Sequence, residues 1–215
     1  FRSGSTRSFD RERMEKILKE LNGKQGIVSE ITKAAKKKMA PQLYDLTELQ
    51  RDANKRYNYS AKETLNIMQR LYENHKVLTY PRTDSRYLTS DVVGTLHERL
   101  QACSVGPYRK LAAPLMRKKF EGKQPFVDNS KVSDHHAIIP TEQFVQLDHM
   151  TNEERRIYDL VVRRFLAVMY PPFEYEQTTI QIKIGTELFT VKGKIVKNLG
   201  WKEIYENETD EEEEN

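Results

Sequence analysis

The hydrophobic period of this chain changes twice, and that change restricts the fold more than any other feature. Near the start, Gln25 to Thr32 alternates, with Ile27 and Ile31 on one face and Val28 on the other. From about residue 47 to 170 the spacing is helical. After Pro171-Pro172 it returns to alternation in Gln177 to Ile184 and Glu187 to Val196, which Gly185-Thr186 joins as a hairpin. Neither end holds enough strands for a stable sheet alone. Pooling the two ends resolves this, because the helical part then becomes an insertion into one split β-rich domain. The expected class is α+β: a mainly helical domain over 47–170, inserted in a β-rich domain made of 1–46 and 171–206. Residues 207–215 would follow as an acidic, disordered tail.

Local signals fill in this outline. Asp10 has the character of an N-cap, followed by Met14, Ile17, Leu18 and Leu21 at helical spacing and Gly23 as a stop. Lys33 to Lys38, followed by Pro41, reads as an exposed connection. Thr47 with Gln50, Ser60 with Glu63 and Thr151 with Glu154 all have capping-box spacing. The second of these opens a helix carrying Leu65, Met68, Leu71 and Tyr72, ending near His75. Lys76 to Tyr80 is short, apolar and β-branched, a strand or extended segment that Pro81 interrupts. Ser90 can cap a helix through about Ala102. Another helix follows with Leu111 and Leu115, which Pro114 would kink or divide. Residues 121–133 read as loop. The Thr151 box opens a strong helix bearing Ile157, Leu160, Val161 and Phe165. Trp201 to Tyr205 offers one more strand.

Charge narrows the partner. The chain of 215 residues has a formal net charge of +4, but Glu206 to Asn215 contains seven acids and no base. Without that segment the remaining residues carry +11. A body so basic points to a polyanion, nucleic acid first among candidates. No apolar run approaches a membrane span, so a membrane partner is not expected. The single Cys103 leaves no internal disulfide and no cysteine-based zinc site. These features fit a reducing cytosolic or nuclear compartment. The first residues, Phe1-Arg2-Ser3, lack a methionine, and the expectation drawn from this is a segment of a larger protein.

One stretch carries chemistry. Residues 78–88 hold Tyr80, Arg82, Asp84, Arg86 and three hydroxyl residues, Thr79, Thr83 and Ser85. In an extended chain residues two apart share a face, so Tyr80 and Arg82 can address one phosphate together. A tyrosine can serve as covalent nucleophile on a phosphodiester, and the guanidinium fork stabilises charge gathering on the nonbridging oxygens. Asp84 would repel a phosphate, so its expected work is to fix an arginine or the local turn. The bland alternative is a surface loop with a capped turn. His135-His136 near a phosphate could donate hydrogen bonds or change charge near neutral pH; a His-His step before an apolar run is otherwise structural. His75, His97 and His149 have no such context. Basic residues interleaved with Tyr57, Tyr59 and Tyr87 could support single-strand binding.

Tyr80-Pro81-Arg82-Thr83-Asp84-Ser85-Arg86-Tyr87-Leu88 resembles the active-site motif of type IA DNA topoisomerases, the topoisomerase III branch in particular. Residues 44–54 resemble the family segment before the tyrosine, residues 60–65 continue it, and Asp134 to Thr141 matches a second hallmark of the branch. The resemblance implies that Tyr80 forms a 5′-phosphotyrosine bond, that Arg82 assists at the scissile phosphate, and that His135 acts near the active site. His136, Arg86 and Asp84 would support DNA binding or the site. It further implies a Mg²⁺-dependent, ATP-independent parent enzyme whose metal ligands lie in a toprim domain outside these residues, so this chain binds no metal and is inactive alone. The implied partners are single-stranded or underwound DNA and the rest of its own polypeptide. The implied location is the bacterial cytoplasm, at the nucleoid. Two other readings share part of the evidence: a non-catalytic nucleic-acid-binding module, and a tyrosine relaxase or nickase.

Overall fold

The computed structural model describes residues 8–121 and 123–205, so the acidic tail of 207–215 lies outside the described residues. The chain is α+β and separates into two compact units. One comprises the residues through Lys38 together with Phe173–Leu199; the other comprises Met39–Pro172 and the segment from Gly200 onward.

The first unit is a long antiparallel ribbon. Helix α1 (Arg11–Leu21) is capped as its sequence predicts, with the Asp10 side chain accepting from the Arg13 amide. Strand β1 (Gly26–Lys38) pairs with β2 (Phe173–Ile184), which pairs with β3 (Glu187–Asn198), in the order β1-β2-β3. The hairpin between β2 and β3 turns at Gly185, whose φ of +60° suits glycine. The lysine run expected to be a connection is instead the second half of β1. Lys37 pairs with Glu174 at 2.7 Å, and Lys36 donates to Gln177 at 3.0 Å across the ladder. The lysines find acceptors in β2 that single-segment propensity does not reveal.

The second unit is helical. It contains α2 (Leu46–Tyr57), α3 (Ala61–Glu73), a 3-10 helix at Ser90–Thr95 leading into α4 (Leu96–Cys103), α5 (Tyr108–Met116) and α6 (Asn152–Met169). Helix α6 is the central element and packs against α2, α3, α5 and a 3-10 helix at Gly200–Tyr205. Its Ile157, Tyr158, Val161, Phe165 and Leu166 are all essentially inaccessible, as are Met68 and Leu71 of α3 and Leu96 and Leu100 of α4. Each such side chain stabilises the unit by roughly 1.5–3 kcal/mol through removal from water.

Some local expectations differ. Both Ser60–Glu63 and Thr151–Glu154 form reciprocal capping boxes. Helix α2 starts earlier than Thr47, because the Asp45 carboxylate accepts from the Glu48 amide at 2.7 Å and is the cap. Pro114 lies inside α5, which continues to Met116. Residues 200–205 form a 3-10 helix, not a strand. There Gly200 has φ +52°, and a Cβ on it would fall 2.3 Å from the Pro172 carbonyl oxygen, so only glycine fits this turn.

Candidate active site

The segment bearing Tyr80 is held by a second segment far away in sequence. After α3, Lys76 takes a left-handed conformation and turns the chain into Val77 and Leu78, both buried. Leu78 bridges to Pro140. The Thr79 amide donates to the Ile139 carbonyl, and the Ile139 amide donates back to the Thr79 hydroxyl, each at 3.0 Å. The Thr141 amide closes the ladder on the Val77 carbonyl. The expected strand at 76–80 is thus a short extended run with one isolated bridge.

The hydroxyls of the motif tie loops together. Thr83 donates to the His135 carbonyl at 2.8 Å, and Ser85 donates to the Lys131 carbonyl at 2.8 Å. Main-chain bonds complete the lacing: the Ala137 amide to the Tyr87 carbonyl, Ile138 to Tyr44, and Leu46 to Thr83. Thr83 and Ser85 are buried while Arg82 and Asp84 between and beside them are exposed. The alternation expected of an extended chain therefore holds here, with hydroxyls inward and charges outward.

Tyr80 itself lies half-buried between two rings. Its centroid is 4.4 Å from that of His135 at a tilt of 44°, and 5.5 Å from that of Tyr72 in an edge-on arrangement of 77°. Tyr80, His135 and His136 share a cleft of about 330 Å³ with Thr79, Thr89 and Asp91. The structure thus brings together the tyrosine and both histidines. Within the cleft, His136 donates from Nδ1 to the Ala137 carbonyl at 2.8 Å in its neutral form, leaving Nε2 as the open nitrogen. Burial holds its pKa below the ordinary histidine value, with the neighbouring Arg99 charge adding to the effect. The Thr89 hydroxyl holds the Asp91 carboxyl below its usual range.

The other residues singled out have different surroundings. Arg82 and Asp84 make no hydrogen bond or ion pair among the described residues. Arg86 is engaged: its Nε donates to Asp45 at 2.7 Å and an Nη to Glu48 at 3.2 Å. These bonds raise its already high pKa, the Asp45 contact most. Of the two tasks expected of Asp84, fixing an arginine or the local turn, the first is done for Arg86 by Asp45, the same carboxylate that caps α2. His75 also has a definite partner, Glu154, at 3.0 Å. Tyr72, Asp91 and Asp45 were not singled out by sequence reasoning. Tyr72 reads there as an ordinary helix-face position, and Asp91 as an exposed residue of a helix first turn; Asp45, placed before a helix three residues ahead of Glu48, carried a recognisable capping signal.

A smaller cavity of about 130 Å³, bounded by Tyr59, Glu63, Arg70 and Glu153 among others, shares no residue with the Tyr80 cleft. Among the described residues no three His, Cys, Asp or Glu side chains are grouped to hold a metal ion, and no helix is long and apolar enough to cross a membrane.

Comparison with known proteins identifies relatives of this arrangement. A family model described as DNA topoisomerase matches residues 2–215. A DNA topoisomerase 3 of Bacillus cereus is 59% identical over 211 residues, which make up 98% of this chain and 29% of that protein. The DNA topoisomerase 3 of Bacillus subtilis is 51% identical over 214 residues, 99% of this chain and 29% of its own length. Among solved structures, full-length topoisomerase I from Thermotoga maritima superposes with a TM-score of 0.65 at 22% identity, over 96% of this chain and 33% of that one. At that identity the likeness shows the fold. The chain spans less than a third of the length of these curated relatives.

Proposed function

As the chain belongs to the DNA topoisomerase family, we propose that it is the tyrosine-bearing part of a type IA enzyme, which cuts one DNA strand, passes another through the break and reseals it. In the first step the Tyr80 Oη attacks a phosphodiester phosphorus. The new bond is tyrosyl O–P, the bond from phosphorus to the 3′ oxygen breaks, and the freed oxygen takes a proton as the phenol loses one. The product is a 5′-phosphotyrosine and a 3′ hydroxyl. Resealing is the same exchange in reverse, so the bond energy is conserved and no nucleotide is consumed.

The observation that carries this reading is the setting of Tyr80: a half-buried phenol against the His135 ring, opening on a cleft. Arg82 has the complementary role. It is exposed two residues away, and a guanidinium without an ion pair among the described residues is available to a phosphate. His135, beside the phenol, can donate a hydrogen bond to the same phosphate, and His136 offers its Nε2 from the cleft wall. Arg86 acts through Asp45 and Glu48 as a positioning residue, which leaves Asp84 as an exposed charge of the motif. Mg²⁺ would be held by acidic residues of a toprim domain elsewhere in the polypeptide. The residues described here do not group to fit that ion, so none of the steps above runs through it. The substrate would be single-stranded or underwound DNA, the location the bacterial nucleoid, and the 215 residues alone would not relax plasmid.

The test is the polarity of a trapped adduct. Labelled single-stranded DNA, incubated with the full polypeptide and Mg²⁺ and then denatured, should yield protein attached to the 5′ phosphate of the downstream fragment, with religation on dilution into salt. Attachment to a 3′ phosphate would overturn the proposal. Binding without any adduct would favour a non-catalytic nucleic-acid module.

A further inference from the structure

The register of the β ribbon sorts its charges by face. Cross-strand partners project to the same side of a sheet, and successive residues to opposite sides. Aligning the pairs places Lys36, Lys38, Lys183, Lys192 and Lys194 on one face, all exposed, with Thr32, Thr179, Thr190, Gln177 and Gln181 between them. Ile27, Leu188 and Val196 are its large aliphatic members, at the two ends of the ladder, and Ala34 is the small one between them. The only carboxylate of the three strands on that face is Glu30. The opposite face carries Glu174, Glu176 and Glu187 against Lys33 and Lys37, and two ion pairs, Lys33–Glu176 and Lys37–Glu174, neutralise most of it. The remainder of that face is mainly aliphatic: Val28, Ile31, Ile180, Ile182, Val191 and Ile195.

The cationic face also has rings. Phe173 and Tyr175 stand 5.3 Å apart, and the Lys194 ammonium lies over both, at 4.8 and 5.1 Å from their centroids. Phe173 is buried, so the ring open to a base is the half-buried Tyr175. A mostly polar, cationic surface with one such ring near its end has the ingredients of a single-strand platform: lysines for backbone phosphates, an aromatic group for a base, and no ordered pattern of base-edge readers.

We propose that this face of the ribbon is a sequence-independent docking surface for single-stranded nucleic acid, separate in its residues from the Tyr80 cleft. The choice of ligand rests on the topoisomerase reading above. A strand held here would be a second strand, or a continuation of the cleaved one, bound through its backbone.

The test compares two double variants that change net charge equally. Lys192→Gln/Lys194→Gln removes two lysines of the cationic face, and Lys33→Gln/Lys37→Gln removes two from the other. Affinity of the full chain for labelled single-stranded DNA is read by anisotropy against salt. With about 0.7 of slope per phosphate contact, the first variant should lose about 1.4 from the slope of log K on log salt. It then forfeits about sevenfold less affinity than the wild type between about 50 and 200 mM salt. The second variant should keep the wild-type slope. Lys36→Gln/Lys183→Gln, which flank the first pair toward the two ends of the same face, should repeat the first result, and circular-dichroism melts confirm that each variant is folded. Equal slopes for all variants, or equal losses on both faces, would overturn the inference. An unchanged slope in a protein that still forms the Tyr80 adduct refutes the docking face alone. A reduced slope without any adduct refutes the catalytic reading and leaves the face standing.

Discussion

Glu154 is the most informative single perturbation of the fold that carries Tyr80. It is 4% exposed and does three things at once. One carboxylate oxygen accepts from the Thr151 amide at 3.0 Å, closing the cap of α6. The same oxygen faces His75 Nε2 at 3.0 Å, and the other accepts from Arg70 Nε at 2.8 Å. Arg70 lies in the last turn of α3 and His75 begins the run to Tyr80, so Glu154 fastens the approach to Tyr80 onto the central helix. Glu154→Ala removes a capping interaction of about 1 kcal/mol. It also removes charge-assisted hydrogen bonds of about 1.5–3 kcal/mol, discounted because the Arg70 side chain, 40% exposed, recovers water. The net cost is about 3 kcal/mol, or about 6–12 °C in Tm for a protein of this size. Glu154→Gln keeps an acceptor and should cost about 1 kcal/mol. Burial pushes the Glu154 carboxyl up, but the Thr151 amide, Arg70 and His75 more than offset this and hold it below its ordinary value. A depressed folded pKa stabilises above the unfolded value of about 4.3 and loses that contribution as pH falls through the folded one. The gap in Tm between wild type and Glu154→Ala should therefore be full at neutral pH and close below about pH 4. A variant that melts with the wild type at neutral pH, or a gap that widens in acid, would refute this account.

Other consequences are equally concrete. Gly200→Ala should destabilise by more than the roughly 1–2 kcal/mol of a left-handed non-glycine residue, because its Cβ meets the Pro171 and Pro172 carbonyl oxygens at 2.4 and 2.3 Å; an unchanged Tm would show that this turn relaxes freely. Asp45→Ala loses both the α2 cap and the Arg86 partner and should cost about 2–3 kcal/mol by chemical denaturation, whereas Asp45→Asn, retaining the cap, should cost about half; equal losses would mean the cap contributes nothing. Arg82→Ala in the full polypeptide should slow strand cleavage by about 10²–10³-fold if it stabilises transition-state charge. Its Tm should not move, since Arg82 has no ion pair among the described residues.

Much of this was legible in the order of residues, for reasons that are local. Asp10, Ser60–Glu63 and Thr151–Glu154 announce helix starts because a cap is satisfied within one turn. The β2–β3 hairpin shows because its turn residues and alternation are contiguous. What was hidden depends on distant partners. Lys33 to Lys38 reads as a solvated run until Glu174, Glu176 and Gln177 are seen across the ladder. Residues 201–205 have strand composition, but the Trp201 amide bonds the Pro171 carbonyl and a 3-10 turn results. At the site, the chemistry proposed for Tyr80, Arg82 and His135 comes from residue type and motif. The Tyr72 ring and the Asp91 carboxylate enter only through folding. The engagement of Arg86 by Asp45 crosses 41 residues, beyond the reach of any short spacing rule.

The central claim, that Tyr80 is the nucleophile, is tested most directly by locating the modified residue. After cleavage is trapped on single-stranded DNA and the nucleic acid is digested back, trypsin should release residues 77–82, a peptide with one tyrosine. Mass spectrometry should find the nucleotide on that tyrosine, and Tyr80→Phe should abolish the adduct while leaving DNA affinity largely intact. A nucleotide on Tyr72 or Tyr87, or an adduct that survives Tyr80→Phe, would contradict the account.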